Sequence, residues 1–290
     1  MSRGIAVSSF GILGLVCFSL LIFSSVNLSF FWLFLELSTL SVVPLFFVWS
    51  DYNCLPGLFS YIIASGVSSA FILCGVLSSD LLFVLIIGLL LKFGLFPLWG
   101  WVYSVSLCSN WLVVWSMSTF LKAPVFFLPF FLSSGGYFLV SVLCCLSLLI
   151  LSGLFWFYSF GWFYCWCHMM LSSSAVLVSM SFVLSSDILL FIFIVYCFWC
   201  SFVILFFSVC SSIGGLEGGV SSYFMFCFLL LSFPISLSLF YKLVIVFGVF
   251  SCWFPVLFCW VVYSISEQVY LVKFVVSYDL PKSIFGLIFE

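Results

Sequence analysis

The sequence predicts an all-α polytopic membrane protein of about ten transmembrane helices, and three observations predict it. Hydrophobic residues make up 67% of the 290 residues and charged residues 5%, against roughly 25% charged residues in soluble domains. The mean hydropathy is +1.50, and a soluble fold of this size still exposes about a quarter of the surface of its unfolded chain, more than these few polar side chains could cover. Apolar runs of roughly 20 residues, enough to cross a hydrocarbon core of about 30 Å, recur along the whole chain. The runs are continuous, which favours helices over the alternating strands of a barrel. A helix also satisfies its own backbone hydrogen bonds in lipid.

Taken in order, the spans are read at 5–25, 28–49, 58–78, 81–102, 111–132, 137–157, 162–183, 187–208, 222–247 and 250–275. Met1-Ser2-Arg3 leads straight into the first apolar run. No small-residue cleavage site followed by a soluble domain appears, so this run is read as a retained span. The breaks fall at turn-forming or charged clusters: Asp51-Tyr52-Asn53, Ser78-Ser79-Asp80, Ser133-Ser134-Gly135-Gly136, Ser185-Ser186-Asp187 and the Gly214–Gly219 stretch around Glu217. Such short loops leave no room for an extramembrane domain, and residues 1–290 are read as a single transmembrane domain. An even number of crossings puts both ends on one side. Arg3, Lys273 and Lys282, read as outside the spans, assign that side to the matrix or cytoplasm.

Composition also excludes whole classes of function. Six basic residues dispersed over a chain of net charge −2 cannot build a nucleic-acid patch; the partner they leave is the lipid bilayer. The fourteen cysteines lie mostly inside apolar runs, as at Cys144-Cys145, Cys197 and Cys200. They read as small buried hydrophobes and lack the regular spacing of a disulfide framework. Cys165-Trp166-Cys167-His168 resembles half of a metal site, but His168 is the single histidine and no second half follows. No Gly-rich nucleotide loop, cysteine ligand set or haem histidine pair occurs, so no metal or cofactor is expected in this chain. Phe (42), Trp (12) and Cys (14) abound while Gln occurs once and Thr twice, the pattern of a small T- and G-rich genome such as an organelle's.

The informative residues are the charges inside spans. Asp51, Asp80, Asp187, Glu217, Lys273, Asp279, Lys282 and Glu290 are read as loop or tail residues. Glu36, Lys92 and Lys122 lie deep in theirs, and Lys242 lies in the ninth span. A charge at the centre of a membrane helix costs roughly 2.5–3.5 kcal/mol on insertion scales, so such residues face a bundle interior or wet cavity and mark ion or proton paths. Helix breakers accompany three of the four: Gly94 and Pro97 follow Lys92, Pro124 follows Lys122, and Pro234 precedes Lys242. Proline removes a helix hydrogen bond, and broken helices are tolerated at membrane depth where they line a cavity. Discontinuous helices are therefore expected near Pro97 and Pro234. Glu36 and Lys92 are expected to face each other, directly or through a water.

These same segments resemble mitochondrial NADH dehydrogenase subunit 2. Residues 31–44, FWLFLELSTLSVVP, resemble its W-x-x-x-E segment with a proline eight residues after the glutamate. Lys92, Gly94, Pro97 and Trp101 match its K-x-G-x-x-P-x-x-x-W run. Leu121-Lys122-Ala123-Pro124 resembles K-x-A-P with one residue fewer, and Pro234 to Lys242 resembles P-x-x-x-G-F-x-x-K with Ser238 and Leu239 in place of Gly and Phe. Ser172-Ser173-Ser174 stands where the family has a serine pair, with Cys167-His168 in place of the basic pair upstream. The resemblance covers roughly residues 28–247. It implies an antiporter-like helix bundle in the membrane arm of respiratory complex I, the proton-pumping NADH:ubiquinone oxidoreductase of the mitochondrial inner membrane. It further implies other membrane subunits as partners, and NADH, FMN, iron–sulfur clusters and ubiquinone held elsewhere in the complex. By likeness Glu36 and Lys92 are a coupled pair at one half-channel, Lys122 the central proton relay, and Lys242 part of the second half-channel. The family's last helix is expected to be missing.

A stand-alone cation/proton antiporter or other secondary transporter is the alternative; sister subunits of the complex have more crossings than 290 residues hold. A scaffold or assembly protein would not need midplane charges.

Overall fold

Proline, glycine and hydroxyl side chains decide where this apolar chain stops being helical, and those stops organise the fold. The structure, a computed structural model, describes residues 2–25, 27–48, 54–78, 81–131, 137–159, 161–213 and 220–279. The turn clusters around Asp51, Asp80, Gly135 and Glu217, and the tail with Lys282 and Glu290, lie outside the described residues.

Among the described residues seven helical segments are long and apolar enough to cross a membrane. These are α1 (Ser2–Ser24), α2 (Leu28–Leu40) continued by a 3-10 turn over Val43–Phe47, α3 (Leu55–Leu77), α8 (Tyr137–Phe157), α9 (Trp162–Ser181), α10 (Ser186–Ile213) and α13 (Phe254–Asp279). Three further crossings are broken. The first is α4 (Leu82–Phe93) with α5 (Gly100–Cys108). The second is α6 (Trp111–Ser118) with a 3-10 segment over Phe120–Phe127 and α7 (Leu128–Phe131). The third is α11 (Val220–Leu230) with α12 (Leu237–Phe250).

Side-chain pairings show that each broken pair forms one crossing. Gly57, at the start of α3, packs on Cys108 at the end of α5, while Gly75, at the end of α3, lies against Leu85 of α4. α4 and α5 thus run end to end beside α3. Trp111 bonds Ser211 and Trp115 bonds Ser201, and Phe126 meets Phe193, so the second broken crossing runs antiparallel to α10. Phe206 meets Phe226, and Gly248 approaches Ile192, so the third does likewise. Trp32 with Ser69 and Tyr61 with Thr39 set α2 antiparallel to α3. Phe155 with His168 and Trp162 with Phe207 carry the alternation through α8, α9 and α10. Among the described residues these ten segments alternate in direction, with Gly11 of α1 against Ser41 and Leu45, leaving Ser2 and Asp279 at the same end of the bundle. The bundle is an all-α polytopic membrane protein, as the hydropathy predicts.

The outside is apolar and the inside holds the polar groups. Phe10, Phe59, Phe83, Phe157, Leu205 and Phe247 are exposed, while Ser68, Thr119, Lys122, His168, Ser172, Ser173, Ser174 and Glu267 are buried. Soluble monomers do not present so much contiguous apolar surface. α9 is the axis: its residues from Cys165 to Ser181 are all buried.

The breaks differ in detail from their sequence reading. The fourth crossing reaches Cys108, beyond 102, because α4 stops at Phe93 and a second helix starts at Gly100. Gly94 closes α4 with φ +64°, a left-handed conformation that glycine adopts without a Cβ penalty. The carbonyls freed there are taken up: Leu90 by the Leu95 N–H, Leu91 by the Gly94 N–H and the Trp101 indole. The Phe96 N–H donates to Ser147. A third break, at Thr119, stands where the sequence reading has a continuous span from 111 to 132. Pro124 cannot donate a backbone hydrogen bond and its ring crowds the preceding turn; the chain responds with a 3-10 segment in place of an α-helix. At the third broken crossing Pro234 and Ile235, the latter at φ 73°, separate α11 from α12. Gln268 of α13 bridges that gap, accepting from the Ser232 N–H at 2.9 Å and donating to the Leu230 carbonyl at 3.2 Å.

The charges of the last helix change the sequence reading. Lys273 is inside α13, in its outer turns, over the ring of Trp156. Glu267, which the sequence reading leaves unplaced, is a further charge within α13, and it is 5% exposed.

Candidate functional site

Each broken crossing carries one lysine, and the breaks set where those lysines point. Lys122 belongs to the 3-10 segment after Thr119 and is 4% exposed. Its ammonium donates to the Met170 carbonyl at 2.8 Å, to the Ser173 hydroxyl at 2.6 Å and to the Tyr196 hydroxyl at 2.8 Å. All three of its donors are thereby used. The ammonium also sits 4.6 Å from the centre of the Tyr196 ring, a cation–π contact. None of these three partners is a carboxylate.

Lys92 lies in the last turn of α4, just before Gly94. Unpaired carbonyls and the negative end of the helix dipole favour a cation there. Its Nζ is buried and has no hydrogen-bonding partner among the described residues; the same is true of Oε1 of Glu36. Glu36 lies within Coulomb reach of both the Lys92 ammonium and the Tyr61 hydroxyl. The expected Glu36–Lys92 contact is not closed in this structure. A cavity of about 40 Å³ opens in front of Lys92, lined also by Tyr61, Trp101, Lys122 and Ser174. One buried water needs roughly 10–15 Å³ of such space, so the cavity admits water between Lys92 and Lys122.

Lys242 lies in α12, past the break at Pro234. It turns inward and pairs with Oε1 of Glu267 on α13 at 2.8 Å, with side chains 12% and 7% exposed. Its ammonium also reaches Ser264 at 3.3 Å. A second cavity, about 20 Å³, is walled by Ser172, Ser173, Tyr263, Lys242 and Glu267. Ser173 thus touches Lys122 on one side and lines the cavity of Lys242 on the other. Lys92 and Lys122 line the first cavity, Ser173 of α9 accepts from Lys122 and lines the second, and Lys242 lines that second cavity; Glu36 lines neither.

Among the described residues no group of three or more His, Cys, Asp or Glu converges around Cys165-Trp166-Cys167-His168. Instead Nδ1 of His168 shares a 2.7 Å hydrogen bond with the Tyr103 hydroxyl. All fourteen cysteines are free thiols.

No family model matches the chain. Over 91 residues it is 31% identical to NADH-ubiquinone oxidoreductase chain 2 of Artemia franciscana. That stretch is 31% of this chain and 29% of the relative, so the match spans less than a third of the curated protein. The fold likeness is far more extensive. A chain in the structure of respiratory complex I from Thermus thermophilus with bound aureothin superposes with a TM-score of 0.73, covering 90% of this chain and 68% of that one at 17% identity. The chain has the fold of a respiratory complex I chain.

Sequence reasoning missed Glu267, Tyr196 and the bridging role of Gln268. Glu267 carried a readable signal, because it stands within the tenth span at 250–275 and meets the same criterion as Glu36. Tyr196 carried none, being one aromatic among many in an apolar helix.

Proposed function

We propose that this chain is a membrane-arm subunit of the proton-pumping NADH:ubiquinone oxidoreductase, respiratory complex I. On this reading it sits in the mitochondrial inner membrane and moves protons along Glu36, Lys92, Lys122 and Lys242. Its partners are the other membrane subunits of the complex. The redox step belongs to them: NADH, FMN, the iron–sulfur clusters and ubiquinone are bound elsewhere.

The observation that carries the reading is the surrounding of Lys122. Hydroxyl groups both donate and accept. Ser173 and Tyr196 can therefore accept from the ammonium and, after rotation of their O–H bonds, donate to the neutral amine. A carboxylate partner favours the charged lysine and can itself take the proton; two hydroxyls and a carbonyl solvate either state without a counter-charge. Lys122 also stands between two cavities with room for water, as a carrier that loads from one side and unloads to the other requires. The fold likeness and the short similarity to NADH-ubiquinone oxidoreductase chain 2 support the assignment of complex.

Purification of the native assembly tests it. The chain is expected to co-migrate with NADH-oxidising activity through successive separations. Migration as an independent transporter, with no NADH-oxidising partner, would favour the stand-alone cation/proton antiporter.

A further inference from the structure

We infer that Glu267 is a proton-carrying group of the second half of the path, exchanging a proton with Lys242 across their 2.8 Å contact. This deepens the proposed function and rests on it.

Glu267 is built into the route by three neighbours. Lys242 faces it from α12. Tyr263 stands one helical turn before it on α13, lines the same cavity, and faces Ser172 of α9. Gln268, next in the chain, donates to Oε1 of Glu267 at 3.2 Å while holding the ends of the α11–α12 break. The cavity of about 20 Å³ joins Glu267 to Ser173, the serine that accepts from Lys122, and holds one water by volume. Tyr241, stacked flat on Trp199 at 4.3 Å, lines the same cavity. The other ionisable groups around the pair are Tyr241, Tyr263 and Cys165. Glu267 is thus the carboxylate in contact with Lys242, and the proton's available acceptor.

The step balances within the pair. The Lys242 ammonium gives its proton to the Glu267 carboxylate, leaving a neutral amine and a neutral carboxylic acid. The acid releases that proton to water on the outward side. The amine takes the next one, delivered from Lys122 through Ser173 and a cavity water, and the ion pair is restored. The ion pair and the neutral pair each leave no net charge in the low-dielectric interior, where an unpaired charge is costly; between release and reloading the pair carries one negative charge, which draws in the next proton.

A static ion pair that only ties α12 to α13 makes the opposite forecast, and the assembled complex in sealed vesicles separates the two. Proton uptake per NADH oxidised is compared for the wild type, Glu267→Gln, Glu267→Asp, the double apolar change Lys242→Met with Glu267→Leu, and Lys122→Met. Glu267→Gln is expected to lower proton uptake at least about tenfold, and Glu267→Asp to restore most of it. The double apolar variant, which leaves no unpaired charge and keeps the packing, is expected to assemble normally and not pump. Infrared difference spectra on energisation are expected to contain a carboxylic-acid band that Glu267→Gln removes. Full pumping by an assembled Glu267→Gln variant, with Lys122→Met inactive, overturns the role of Glu267 and leaves the function standing; full pumping by the double apolar variant overturns the roles of Glu267 and Lys242 together. An unchanged carboxylic-acid band in Glu267→Gln also overturns it. Full pumping by Lys122→Met overturns the proposed function and this inference together.

Discussion

Lys92 and Lys242 are two lysines beside two helix breaks, and the structure leaves them in opposite states. Lys242 is closed: its carboxylate partner is at 2.8 Å, and Gln268 holds the broken backbone behind it. Lys92 is open: its ammonium and Oε1 of Glu36 are buried without a hydrogen-bonding partner among the described residues, and a cavity lies in front of it. Between them Lys122 has three acceptors and no carboxylate contact. A buried charge is stabilised either by a counter-charge in direct contact or by groups that tolerate both protonation states. The closed end uses the first device and the centre the second. The open end uses neither, which makes it the part whose charge is least tied to its surroundings.

The largest expected effect comes from unbalancing the closed end. Lys242→Met leaves the Glu267 carboxylate buried and unpaired, and a buried pair broken on one side loses about 3–5 kcal/mol. The unfolding midpoint of the complex in detergent should drop, or the assembled yield fall. Adding Glu267→Leu should return most of that stability. No loss in the single variant would mean that the pair is hydrated and not closed.

Next comes the backbone behind it. Gln268→Leu leaves the Ser232 N–H and one bond to the Leu230 carbonyl unmade, at about 1–3 kcal/mol for each buried group left unsatisfied. Faster amide exchange at Ser232, measured by mass spectrometry, would report the loosened gap; unchanged exchange would remove Gln268 from that role.

The break at the open end is held by conformation. Gly94→Ala puts a Cβ in the left-handed region and within 2.7 Å of Val102, a cost of about 1–2 kcal/mol from the backbone alone. A lowered unfolding midpoint is expected, against a neutral result if the helix can run on through residue 94.

The smallest effect on stability belongs to Glu36→Gln. With no ion pair to break, the change should stay under about 1 kcal/mol, well below that of Lys242→Met. An equally large loss would show that Glu36 and Lys92 close together in the membrane and that the two ends are alike.

The contrast between the ends was only partly readable in the sequence. Membrane thickness sets the length of an apolar run, so ten crossings follow from hydropathy. Proline has no N–H to give, so the breaks at Pro97 and Pro234 follow as well. Lys92, Lys122 and Lys242 stand out because charge in an apolar run is costly wherever the helix points. Pairing was less visible. Glu36 and Glu267 look equivalent in the sequence, each a lone carboxylate in an apolar helix, and which one meets a lysine depends on how α2 faces α4 and how α13 faces α12. The break at Thr119 was hidden because Pro124 alone does not say whether a helix kinks or changes winding.

The claim on which both ends depend is that protons cross through Lys122. The direct measurement is proton translocation per NADH oxidised by the assembled complex in sealed vesicles with Lys122→Met and Lys122→Arg. Methionine keeps the length and apolar bulk of lysine and cannot carry a proton, and the guanidinium of arginine does not release one. Both variants are expected to assemble and to lose most proton translocation. Wild-type translocation by both, with assembly confirmed, would contradict the account.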